Sequence, residues 1–163
     1  MTDPFTATSS AILTALTSSP AFTAIVAPGN LIDMSANAFE RFKGQLQFSD
    51  TPEVVLLSDA FELQPFGTNS KIASISQTFQ LISTHASLRT TPMNALKFAT
   101  MTALLKAGPN LGLCGLIRSW EMRQGRDDAF GHPQWRRGTL RWVSLIAITV
   151  HMHLDRSHLL ALP

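Results

Sequence analysis

The chain has 163 residues, 45% hydrophobic and only 15% charged, against roughly 25% charged in an ordinary soluble domain. That length fits one domain with a modest core. The apolar content excludes a disordered chain, and the best apolar run, residues 143–150, falls far short of the ~20 residues of a membrane-spanning helix. The charges are divided by position: residues 1–70 carry seven acids and two bases, residues 71–163 carry eleven bases and four acids, and no acid lies between Glu62 and Glu121.

Residues 8–16 predict a short helix, with Thr8, Ser9 or Ser10 capping it and Ile12, Ala15 and Leu16 at helical spacing. Ser19-Pro20 then restarts helix, serine at the N-cap and proline at the first helical position. Its apolar face is Phe22, Ile25 and Val26, and Pro28-Gly29-Asn30 stops it. Residues 1–30 therefore form a helical N-terminal lid on a single 1–163 domain, in a sequence that opens without the basic and apolar regions of a signal peptide.

A short strand is expected at 31–34 and a buried one at Val54-Val55-Leu56-Leu57, with a further strand at 61–66. Residues 35–53 give no clear signal. Residues 71–83 alternate most cleanly: Ala73, Ile75, Phe79 and Leu81 on one face, Ser74, Ser76, Thr78 and Gln80 on the other. The hydroxyl-rich face is either an ordinary solvated surface or the wall of a lumen or hydrated contact. Thr91-Pro92 starts the main helix, which runs to about residue 107 and stops at Gly108-Pro109. Met93, Leu96, Ala99, Thr100, Ala103, Leu104 and Ala107 make one apolar stripe; Phe98, Met101 and Leu105 make a second. A helix apolar on two sides is covered on two sides, one by its own sheet and the other by a neighbouring chain.

Residues 111–122 predict a strand bent at Gly112 and Gly115, residues 123–138 an extended polar loop, and residues 139–154 a long closing strand. The last two strands and their loop make a long C-terminal hairpin. The expected fold is α+β: a mostly antiparallel sheet, with the main helix and the short N-terminal helices packed on it.

Few constellations carry chemistry. Cys114, the single cysteine, cannot form an internal disulfide, as befits a reducing compartment, and its apolar surroundings predict a buried, inert thiol. His151, His153, Asp155 and His158 resemble the HxHxDH zinc motif of metallo-β-lactamase-fold hydrolases, since i and i+2 share a strand face; here, however, the last His comes three residues after the Asp. Asp127-Asp128 reads as a solvated turn. Nothing assembles a nucleophile, a base and an orienting group, so no catalytic residue, metal or cofactor is assigned. The arginine-rich hairpin leaves DNA binding open as an alternative. Trp120, Trp135, Arg136, Arg137, Arg141 and Trp142, with Phe98, Met101 and Leu105, are the candidate interface residues, because Trp and Arg are enriched at interface hot spots.

The order of elements carries a resemblance. The segment Leu16-Thr17-Ser18-Ser19-Pro20-Ala21-Phe22-Thr23-Ala24-Ile25-Val26 after a first helix, then Pro52-Glu53-Val54-Val55-Leu56 as a strand, the long strand 71–83, the helix 92–107 and the closing strands resemble the tail-terminator and neck proteins of tailed bacteriophages. The resemblance covers most of the chain as a pattern; residues 123–138 and the histidine-containing end have no counterpart in it. It implies a non-enzymatic virion protein, assembled in the host cytoplasm into a ring, typically sixfold. Such a ring ends tail-tube polymerisation and joins the tube protein to the head-side connector, with DNA passing through its lumen and no membrane involved. Another tail or baseplate adaptor is the nearest alternative, and a small metal-dependent hydrolase using His151, His153, Asp155 and His158 is a more distant one.

Overall fold

In the computed structural model the described residues are 3–33, 52–64, 72–85, 90–130 and 141–155. The fold is α+β, as the sequence predicts. Helix α1 (Pro4–Thr17) and the single turn α2 (Pro20–Thr23) are followed by a 3-10 turn (Pro28–Asn30) and strand β1 (Leu31–Asp33). Strands β2 (Glu53–Gln64) and β3 (Ile72–His85), helix α3 (Thr90–Lys106), and strands β4 (Ile117–Phe130) and β5 (Arg141–Asp155) complete the order. The strands form one sheet in the order β1-β2-β3-β5-β4. The short β1 runs parallel to β2 and every other pairing is antiparallel.

Period-two alternation gives the sheet two unlike faces. Ala73, Ile75, Phe79 and Leu81 of β3 lie beside Ile146, Ile148, Val150, Met152 and Leu154 of β5. All are buried, in one core with Ile12 and Leu16 of α1, Phe22 of α2, and Met93, Leu96 and Leu104 of α3. The helices thus cover one face only. On the other face Ser74, Ser76 and Thr78 stand opposite His153, His151 and Thr149.

Four local expectations are corrected. Helix α1 begins four residues early, because Asp3 caps it: its Oδ1 accepts from the Thr6 backbone N–H at 2.9 Å, and Pro4 takes the first helical position. The two strands expected at 54–57 and 61–66 are one strand, broken only by an irregularity between Ser58 and Phe61. The strand expected at 111–122 starts only at Ile117. Gly112 and Gly115 have φ of 80° and 87°, the left-handed conformation of turns rather than of a bent strand, and the Asn110 side chain accepts from the Gly112 N–H. Finally, residues 123–130 of the expected loop belong to β4, paired through Asp127↔Ser144 and Phe130↔Arg141. The Arg, Asp and Gly residues that read as a loop are those an edge strand tolerates. A Cβ on Gly125 would stand 3.0 Å from Leu145 Cδ2, which explains glycine inside this strand. Residues 131–138 lie outside the described part.

Candidate interaction surface

The two stripes of α3 have opposite fates. Met93, Leu96, Ala99, Thr100, Ala103 and Leu104 are buried, whereas Phe98 is 66% exposed and Leu105 60% exposed. Met101, between them on the same side, is half-buried. The sheet accounts for one side of the helix and leaves a large apolar stripe in water. The only charges in the helix are Lys97 and Lys106. At 3.6 residues per turn they fall on opposite flanks of the Phe98–Met101–Leu105 stripe. Beyond Lys106 the surface dips into an open depression of about 380 Å³ between α1 and α3, lined largely by small side chains such as Ala11, Ala15, Ala103 and Ala107.

A second apolar patch escapes sequence reasoning. Phe61 is 60% exposed and Leu63 51% exposed, both on the core-facing side of β2, opposite Gln77 and Ile75. Alternation of Phe61 and Leu63 with Glu62 and Gln64 announces a two-faced strand, but not that the helix layer stops short of its end. Phe5 of α1 reaches Phe61, with ring centroids 5.6 Å apart. Because β1 pairs only with residues 54–56, β2 from Leu57 onward is an outer edge among the described residues, and it carries Asp59 and Glu62 there.

Of the aromatic–arginine candidates, only Trp120 has its side chain within the described part. Trp120 is half-buried and packed against the core, its indole N–H donating to the Gly108 carbonyl at 2.8 Å, so it is a structural clasp rather than an exposed anchor. Arg141 and Trp142 open β5, opposite Phe130 and Ala129, and their side chains lie outside the described part. Trp135, Arg136 and Arg137 also lie outside it. Among the candidates whose side chains are described, Phe98 and Leu105 are exposed and Met101 is half-buried.

The histidine motif comes together only in part. His151 and His153 share the open face of β5, and the Nδ1 of His151 is 2.9 Å from the Ser76 hydroxyl across the strand pair. Asp155 ends β5 with its side chain outside the described part, and His158 lies beyond it. Among the described residues no three His, Cys, Asp or Glu side chains converge as metal ligands. Asp127 and Asp128 sit in β4, not in a turn. Cys114 is exposed rather than buried: it lies in the glycine turns after α3, where its sulfur accepts from the Asn110 amide at 2.7 Å.

The rest of the open sheet face is mixed: polar groups lie beside the half-buried Leu57, Ile82, Leu145 and Ala147. Thr78 and Thr149 hydroxyls meet at 3.2 Å, the Gln80 amide donates to Asp59 at 2.6 Å, and Arg123 pairs with Glu121 at 3.2 Å, an exposed pair worth little. No helix among the described residues is long and apolar enough to cross a membrane. No protein-family model matches the chain, and no curated protein matches its sequence.

Proposed function

We propose that this chain is a structural assembly subunit of a tailed-bacteriophage neck. In this reading, copies close into a ring at the end of the tail tube, stop its growth and present a surface to the head-side connector. The observation that carries the assembly role is the outer stripe of α3, because a monomer gains nothing from two large apolar side chains held in water on a rigid helix. The division of charge along the chain supports the same reading, since head-to-tail contacts between copies need unlike surfaces. The resemblance in element order narrows the assembly to the phage neck. The hydroxyl-lined part of the open sheet face, around Ser74, Ser76, Thr78 and Thr149, suits the wall of a hydrated lumen.

Native mass spectrometry and negative-stain electron microscopy of the purified chain test the assembly. A closed ring, sixfold by the resemblance, is the expected result; a strict monomer at high micromolar concentration overturns it. Adding the protein to polymerising tail-tube subunits tests the role: capped tubes of limited length support a terminator, and tubes that grow unchecked overturn it.

A further inference from the structure

We infer that the contact between copies is heterologous: the outer stripe of α3 on one copy receives the acidic, apolar edge of β2 from the next. The inference rests on the assembly reading above and names the contact that reading needs.

Each patch is apolar at its centre and carries one sign of charge. Phe98 and Leu105 are flanked by Lys97 and Lys106 on a helix without acids. Phe61 and Leu63 share residues 58–64 with Asp59 and Glu62, in a segment without bases. All four apolar side chains are more than half exposed. The apolar spans are of the same order: Phe98 to Leu105 covers about 10 Å of helix, and Phe61 to Leu63 about 7 Å of extended strand.

Symmetric alternatives are disfavoured by charge. Two α3 stripes face to face bring four lysines together with no carboxylate from either helix. Two β2 edges side by side bring four carboxylates together. Only the mixed contact covers both apolar patches and pairs opposite charges, because among the described residues β2 has an open outer edge from Leu57 onward. A helix laid along that edge sets its stripe on Phe61 and Leu63, and one of its two flanking lysines beside the carboxylates on the strand's other face. A contact that uses two different patches leaves one of each free at the ends of every pair. It therefore propagates until rotation closes a ring.

The test uses two variants of the full chain, Phe61→Asp and Leu105→Asp, with circular dichroism confirming the fold of each. Each alone is expected to lose assembly, with the subunit contact weakened about 30-fold or more. Mixed in equal amounts they are expected to form a heterodimer and nothing larger, because the mixture retains one intact stripe and one intact edge. Glu62→Lys provides a second route, since Phe61 also touches Phe5: it should weaken assembly while leaving the ring pair in place.

If Leu105→Asp dissociates while Phe61→Asp and Glu62→Lys assemble like the wild type, the contact is helix to helix and the inference is overturned. It is overturned equally if all variants assemble normally or if the wild type is a monomer at high micromolar concentration. Normal assembly of all variants leaves the neck role standing. Dissociation by both variants, in a protein that does not cap tail tubes, overturns the neck role and leaves the contact standing.

Discussion

The indole N–H of Trp120 donates to the backbone carbonyl of Gly108, 2.8 Å away, tying the first turn after α3 to the edge strand β4. The bond satisfies a carbonyl just past the helix end, where the intrahelical partners run out. Trp120→Phe keeps most of the packing and loses the bond, so it should lower unfolding free energy by about 1 kcal/mol. Trp120→Ala also loses packing and should cost about 2–4 kcal/mol. Urea denaturation measures both. Assembly should be unchanged once the protein is folded, which separates this residue from the interface tryptophan that composition suggests.

Gly108 has φ of 81°, and a Cβ there would meet no atom within 4 Å. Gly108→Ala therefore reports the backbone alone. The expected loss is about 1 kcal/mol in thermal or chemical unfolding, with Gly108→Asn less harmful because asparagine tolerates left-handed backbone better. Equal losses for both would show that the turn has changed conformation.

Asp3 holds the start of α1. Its carboxyl is kept below the ordinary value of 3.8 by hydrogen bonds from Thr6, the side chain first and then the backbone, against a small opposing effect of burial. A folded-state pKa below the unfolded one means stability that is present above the ordinary value and lost as pH falls through the folded value. Asp3→Ala should cost about 0.5–1 kcal/mol at neutral pH, as for an exposed N-cap. The difference from wild type should vanish in strongly acidic buffer; a difference that persists there assigns the effect to something other than the carboxylate.

Ser83 of β3 and Ser144 of β5 stand directly opposite each other on the core face. Both are buried, and neither hydroxyl has a hydrogen-bond partner. Removing an unsatisfied buried hydroxyl relieves a desolvation cost. Ser83→Ala and Ser144→Ala should leave stability unchanged or raise it by up to about 1 kcal/mol. Losses above that in urea unfolding would reveal a partner for the hydroxyl.

The elements legible in the sequence are those whose signals are local. Pro20 marks the second helix start, although the Ser19 hydroxyl makes no capping bond, and Gly108 marks the end of α3, because proline at the first helical position and left-handed glycine after the last turn are local backbone signals. The alternation at 73–81 fixes the faces of β3, and the two stripes of α3 separate cleanly into a buried and an exposed side. What escaped depends on distant neighbours. The polar stretch at 123–130 is strand because β5 pairs with it. Cys114 is exposed because its turn spends Leu111, Leu113 and Leu116 on the core and leaves the thiol outside. Trp120 is claimed by a carbonyl twelve residues earlier. The exposure of Phe61 depends on where α1 ends over the sheet, which no periodicity records.

The strand order has a consequence for synthesis. Strand β5 lies between β3 and β4, yet it is made after both. Until it emerges from the ribosome, β4 has no neighbour in the sheet, and β3 shows an apolar edge with nothing beside it. Its closure links residues as far apart as Thr8 of α1, whose hydroxyl meets the Met152 sulfur at 3.2 Å. The nascent chain must therefore hold its acidic first half and its helix layer unfinished until nearly all of the basic half has been translated. The sheet cannot close before β5 is made, and truncation before β5 removes the strand that joins β3 to β4.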